Sequence, residues 1–298
     1  MFSCYKIIIL SICLSLVCLS AKAQLSGAVN YEHLGISLQL PPGWQGQEME
    51  EGILLGSNEM AGFIIVSTHS YTQTGTLRNE MSQDMPPADG TQDSLVGEVE
   101  PLGSNGYFTR FAGTFQYEPA KACIAASVNP KGGLGVMVTA ITSSTAYSDA
   151  HEQIVKDLLA SVRYSAVKES SEVGEWRSYF QNVRLTYMDS YYSSSGGMGG
   201  GYSTEIKIDL CAAGFFNYYS ADDMSVGGDY SSAYSSGRDQ GAGTWQVTGT
   251  ADGGSMLVLR FYNDEVYEYR LTYEDEKVHL NGNRYFVTSE GEYAPNCR

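Results

Sequence analysis

From Ser255 to Ser289 the side chains alternate, and that alternation limits the possible folds more than any other feature of the sequence. Leu257, Leu259 and Phe261 alternate with Met256, Val258 and Arg260, Asn263-Asp264 turns the chain, and the pattern resumes across Val266–Tyr273. A period of two places successive side chains on opposite faces of a strand, so the segment reads as strand, turn, strand. Lys277–Leu280 and Arg284–Ser289 continue it. The same order occurs earlier: Ile206, Ile208 and Leu210 alternate with Glu205, Lys207 and Asp209, Ala212-Ala213-Gly214 turns, and Phe215–Tyr219 follows. Leu210 then matches Phe261 and Tyr218 matches Tyr269, and each copy opens on Gly-x-Trp, at Trp176 and at Trp245. The count comes to about eight short strands, enough for an antiparallel sheet to close on itself and lose its edges.

The first copy is the longer one. Its insert, Ser190–Tyr202, and the stretch between copies, Ala221–Gly243, are dominated by Ser, Gly, Asp and Tyr with no sustained apolar alternation. Both read as mobile loops. Tyr191, Tyr192, Tyr202, Tyr230 and Tyr234 lie in or beside them, and Tyr218 and Tyr219 close by. Rigid aromatic anchors on an adaptable backbone are the composition of a recognition surface. The alternative is that some of these rings cap a barrel mouth.

The first half of the chain has a different rhythm. Leu34–Leu40 alternates and stops at Pro41-Pro42-Gly43-Trp44, where two prolines cannot continue a ladder. Strands follow at Gly52–Leu55 and Gly62–Thr68, then a helical Thr76–Met85, then strands at Ser94–Leu102, Gly106–Tyr117, Ala120–Ser127 and Leu134–Thr142. A last helix starts at Asp149, with Glu152 three residues on completing a capping box. Ile154, Val155, Leu158, Leu159 and Val162 form one apolar stripe, which places this helix across a sheet. The reading is an α+β domain, an antiparallel sheet with a C-terminal amphipathic helix, over residues 24–165, a polar connector at 166–172, and an all-β antiparallel barrel over 173–298.

Lys6, the apolar run Ile7–Leu19 and Ala21-Lys22-Ala23 read as a cleavable secretory leader over residues 1–23. Val17 ahead of Cys18 argues against lipoprotein processing. No later stretch approaches the ~18 continuous apolar residues of a membrane helix, so no membrane insertion is expected once the leader is removed. Cleavage takes away Lys6 and Lys22 and no acid, so 18 basic residues fall to 16 against 34 acidic ones, a net charge of −18. That argues against nucleic acid and anionic membrane surfaces as partners. Cys4, Cys13 and Cys18 leave with the leader, and Cys123, Cys211 and Cys297 remain in an oxidising compartment. One disulfide and one thiol is the simplest account. Cys123, in the apolar run Ala122–Ala126, reads as a buried structural thiol.

Two resemblances follow from these motifs. Leu40-Pro41-Pro42-Gly43-Trp44, the antiparallel strands and the helix ending Leu159-Ala160-Ser161-Val162-Arg163 resemble the PsbP/DcrB-type α+β fold, whose members act mostly as assembly or interaction modules. The paired Gly-x-Trp openings, Leu210-Cys211-Ala212-Ala213-Gly214-x-Phe216 and the Leu280-Asn281-Gly282 hairpin resemble lipocalin-like (calycin) domains of secreted bacterial proteins. The second resemblance implies that Trp176 and Trp245 close the barrel floor, that Trp176, Tyr218, Trp245, Leu259, Phe261 and Tyr269 line the barrel for a small apolar ligand, and that Cys211 pairs with Cys297 to tie down the tail.

Catalytic motifs are missing. His33, His69, His151 and His279 are scattered without metal-ligand spacing, His151 as a first-turn helix residue and His279 as an exposed strand residue, and no Gly-x-Ser-x-Gly or phosphate-loop motif occurs. Asp222, Asp223 and Asp229 match no established calcium loop and read as a solvated acidic segment. The expectation is therefore an exported, non-enzymatic binding protein without metal or cofactor. Its barrel holds a small apolar ligand, or its Tyr/Ser/Gly segments meet an envelope or extracellular protein. The alternative is a structural or inhibitory envelope protein with a solid barrel core and no small ligand.

Overall fold

The computed structural model describes residues 24–297 apart from 50, 51, 86, 88, 89, 196, 197, 229 and 230. Residues 1–23, which the sequence suggests are a leader and which carry three cysteines, lie outside the described residues, as do Asp229 and Tyr230. Packing divides the chain into two compact units, one of the residues up to Glu169 with Gly249–Gly253, the other Ser170–Thr248 with Gly254–Arg298.

In the first unit the order is β1 (Ala28–Tyr31), β2 (Ile36–Gln39), β3 (Trp44–Met49), β4 (Gly52–Ser57), β5 (Phe63–His69), α1 (Thr74–Met81), β6 (Gln92–Leu102), β7 (Gly106–Phe115), β8 (Glu118–Ser127), β9 (Gly135–Ser143), α2 (Asp149–Ser161) and β10 (Arg163–Tyr164). Two antiparallel sheets result, where the sequence suggested one. A small sheet runs β1-β2-β10 and a larger one runs β3-β4-β5-β9-β8-β7-β6. The chain changes sheets at Pro41-Pro42-Gly43, and Trp44 resumes the ladder as the first residue of β3. Every residue from Ala122 to Ser127 on β8 is buried. A strand covered on both faces is expected to be apolar throughout rather than alternating, as this one is.

Helix α2 packs on β8 and β9 through Val155, Leu158 and Leu159. The helix starts at Asp149 as the sequence suggested, but its capping box is Ser148 with His151 rather than Asp149 with Glu152: the Ser148 backbone N–H donates to Nδ1 of His151 at 3.2 Å while Nε2 of that ring lies 3.0 Å from the Ala61 carbonyl. Glu152 is thereby left for another partner. It accepts two hydrogen bonds from Arg110, each 2.7 Å, and one from the Tyr147 hydroxyl. These Arg110 bonds hold its carboxyl below the usual carboxylate range. Cys123 is fully buried nearby, and burial pushes its thiol up to about 11, so it is packed as a neutral thiol.

His69, at the end of β5, is buried with Nε2 3.1 Å from the Ser127 carbonyl, while its Nδ1 meets no hydrogen-bond partner among the described residues. Burial lowers its pKa from 6.5 to about 4. Between those two values the unfolded chain binds the proton and the folded chain does not, so stability is full above pH 6.5, falls as pH drops, and levels off below 4. The loss expected from this one residue is on the order of 3 kcal/mol. Urea midpoints of the protein and of His69→Gln, taken at pH 7 and at pH 4, measure it. The variant should be the less pH-sensitive, and an undiminished pH slope in His69→Gln would reject the assignment.

The second unit opens with α3 (Ser171–Tyr179) and then runs through β11 (Val183–Ser195), β12 (Met198–Leu210), β13 (Phe215–Gly228), β14 (Ser231–Gly249), β15 (Ser255–Phe261), β16 (Val266–Glu274), β17 (Lys277–Leu280) and β18 (Asn283–Thr288). These eight strands form a closed antiparallel barrel in chain order, with β18 returning to β11 at Arg184–Thr288, Leu185–Val287 and Thr186–Phe286. The chain is thus an α+β unit followed by an all-β barrel.

Two expectations about this unit need correction. Trp176 does not open a strand. It lies on α3, capped by the Ser170 side chain, where Val173 and Trp176 are buried and Phe180 follows. The two Gly-x-Trp motifs therefore occupy different structures, one a helix and the other β14, and the repeat holds only for the paired strands that follow. The Ser/Gly segments are not loops either. Ser190–Ser195 pairs with Met198–Ser203, and Ala221–Gly228 pairs with Ser231–Arg238, in unbroken register. Backbone ladders need no apolar side chains, so composition alone missed them.

Candidate functional site

Alternate residues of the barrel strands point inward. Leu185, Ile208, Leu210, Phe216, Leu257 and Leu259 are wholly buried there, with Trp176 and Phe180 packed into the same cluster from α3. All six residues that the lipocalin-like resemblance nominated reach this interior: Trp176, Tyr218, Trp245, Leu259 and Phe261 are buried within it, and Tyr269 packs against it. They meet one another. The Phe261 ring lies 4.8 Å from Phe216, 5.5 Å from Tyr218 and 4.7 Å from Tyr267, all edge to face. Trp245 donates from Nε1 to the Cys211 carbonyl at 2.9 Å.

Two glycines of β14 make this packing possible. A Cβ on Gly241 would stand 2.4 Å from the Phe261 ring, and one on Gly243 would stand 1.8 Å from the Arg260 carbonyl oxygen. Toward the upper end of the barrel the fill becomes phenolic. Tyr218 and Tyr269 share a hydrogen bond, Ser220 bonds to Tyr218 as well, and Tyr187 lies 5.4 Å from Tyr285. Burial pushes Tyr218, Tyr269 and Tyr285 above the ordinary phenol range. These hydroxyls therefore stay protonated at neutral pH and offer no phenolate base.

Above that layer β11 to β14 continue as a four-stranded sheet. Tyr191 and Tyr202 stand on one face, stacked with ring centroids 6.2 Å apart, and the Tyr202 hydroxyl donates to Asp189 at 3.1 Å. Tyr192 and Met188 lie on the other face, because neighbours on a strand point oppositely. Tyr191 is 58 % exposed and Tyr192 72 %. Thus three of the five tyrosines nominated for recognition are held out on a paired sheet. The backbone of Tyr234 belongs to β14. Asp222 and Asp223 are separated by the same alternation: Asp222 accepts from Thr204 at 2.7 Å, while Asp223 takes both Arg238 nitrogens at 3.0 and 3.1 Å. Among the described residues no group of three or more His, Cys, Asp or Glu side chains is placed to hold a metal. His279, expected to be exposed, is half-buried on β17.

One further feature was not apparent from the sequence. On the outer face of the barrel an open groove of about 580 Å³ is lined by Arg184, Lys207, Asp209, Asn217, Tyr219 and Asn296 among others. Arg184 grips the buried Asp209 carboxylate with two hydrogen bonds, 2.6 and 2.9 Å. The C-terminal segment borders the groove: the Asn296 N–H donates to Asp209, the Asn296 carbonyl accepts from Asn217, and Cys297 forms a disulfide with Cys211. The pairing expected from the resemblance is thus present. The signal for the groove lay in β11, where Val183, Leu185 and Tyr187 alternate with Arg184, Thr186 and Met188, facing the acid-bearing side of β12.

Among the described residues no helix is long and apolar enough to cross a membrane. No protein-family model and no curated protein matches the chain. Among solved structures it is similar to the PsbP protein CyanoP of Synechocystis, at 10% identity and a TM-score of 0.33, over 50% of this chain and 98% of that one. It is also similar to a protein of Bacteroides thetaiotaomicron, at 12% identity and a TM-score of 0.34, over 52% of this chain and 59% of that one.

Proposed function

We propose that this is an exported, non-enzymatic binding protein that recognises an envelope or extracellular partner through the tyrosine-bearing sheet above its lipocalin-like barrel. The observation that carries this reading is the placement of Tyr191, Tyr192 and Tyr202. Large rings usually go inside, and here they are exposed on strands paired residue by residue. A ring on a pre-formed sheet loses little freedom on binding, which is the advantage of Tyr in recognition surfaces. The aromatic fill of the barrel favours this reading over carriage of a small apolar ligand. The leader sequence and the Cys211–Cys297 disulfide support export, and the net charge of −18 favours a neutral or basic partner over nucleic acid.

Native mass spectrometry of the protein taken from its own host's envelope or medium tests the proposal, with the triple variant Tyr191→Ala, Tyr192→Ala, Tyr202→Ala alongside. The expected result is a second protein that accompanies the parent and is lost from the variant, the affinity falling at least about 100-fold if two of the rings are hot spots. A retained small apolar molecule, released equally from both proteins, would instead favour the carrier reading.

A further inference from the structure

β11 has two edges. One pairs with β12 along its whole length, from Val183 opposite Leu210 to Ser195 opposite Met198. The other meets β18 only at Arg184, Leu185 and Thr186. Among the described residues, the nine positions from Tyr187 to Ser195 have no ladder partner on this side, β18 reaching only the first of them through the contact of Tyr285 with the Tyr187 ring. Exposed edges are normally blocked by proline, lysine, a bulge or several charges. This one, Tyr187-Met188-Asp189-Ser190-Tyr191-Tyr192-Ser193-Ser194-Ser195, has no proline and no lysine, its register with β12 is unbroken, and its single charge is Asp189. The first half of β14 differs, since it carries Gly237, Arg238 and Asp239.

We infer that this edge of β11 pairs antiparallel with the same edge of a second copy about a two-fold axis. Full overlap of the nine residues puts Tyr191 on the axis opposite itself and Asp189 opposite Ser193 in both halves. The only charge on the edge then faces a neutral hydroxyl, so the pairing sets no like charges opposite each other even though the whole chain is strongly acidic. Such an isologous contact closes after two copies. It also sets an aromatic pair at the centre, a favourable cross-strand contact. The four-stranded extensions become one eight-stranded sheet carrying Tyr191 and Tyr202 of both copies on one face. This inference does not depend on what those tyrosines bind.

Sedimentation of the purified protein across micromolar concentrations tests it, with Ser193→Asp and Ser193→Arg. Ser193 is exposed, so both variants should keep the fold, and far-UV circular dichroism checks that. Each substitution acts twice in a two-fold dimer. Ser193→Asp sets carboxylates opposite each other and should weaken dimerisation roughly tenfold, and Ser193→Arg should tighten it by a similar factor. Tyr191→Cys should form an interchain disulfide readily, because that position meets its own copy. A protein that stays monomeric at the highest concentration, or a dimer indifferent to both Ser193 changes, overturns the inference.

Discussion

Phe216→Ala should cost about 3 to 5 kcal/mol, a large share of the 5 to 15 kcal/mol that holds a typical domain together. Phe216 has no exposed surface, sits opposite Leu210 across the β12–β13 ladder and meets the Phe261 ring edge to face. Its neighbours cannot close over the gap easily. Phe261 is already held against Gly241, and the strands that carry both rings are fixed by ladder pairing. Thermal unfolding followed by near-ultraviolet circular dichroism measures the loss, with Tyr262→Ala as control. Tyr262 adjoins Phe261 but is 74 % exposed, and its truncation should stay within about 0.5 kcal/mol. Similar shifts for the two variants would mean that the ring cluster is not the barrel's core.

Replacing Cys211 and Cys297 together by serine should lower stability by about 4 kcal/mol. The bond closes a loop of 86 residues, and the entropy it removes from the unfolded chain grows with loop length. In the folded state it anchors Asn296 against Asp209 and Asn217, so its loss also frees two hydrogen bonds at the groove. Urea unfolding with and without dithiothreitol separates the bond from the side chains. The parent protein should fall to the variant's midpoint under reductant, and the variant should not move. A reductant-insensitive parent would sink the prediction.

How far the sequence could be read depended on what each segment's side chains were for. The alternation of Leu257, Leu259 and Phe261, and the stripe Val155, Leu158 and Leu159, were legible because burial imposes the period. Ser190–Tyr202 and Ala221–Gly243 were not, because their strands are specified by neighbouring strands in register and show no buried stripe among the described side chains. Helix α3 was hidden behind a three-residue motif. Val173, Trp176 and Phe180 already had the helical spacing i, i+3, i+7, with Ser170 as cap, and the Gly-x-Trp match drew attention from it. Tyr218, Trp245, Leu259, Phe261 and Tyr269 reach the interior because large side chains at alternate positions of a barrel strand go inside, whereas Trp176 reaches it from helix α3. The groove was missed because Arg184 and Asp209 become partners only once β11 is read as a strand.

Barrel closure also bears on the timing of folding. The circle is completed by three residue pairs between β11 and β18, the first and last strands. A chain made or translocated from its N-terminal end can form each successive hairpin as it emerges, but it cannot join those two strands until β18 is free. Cys211 likewise waits for Cys297. Non-local closure is slow because loop entropy must be overcome before the contacts form. Both the last ladder and the covalent tether are therefore late events, and until they occur the upper and lower parts of the β11 edge are equally open.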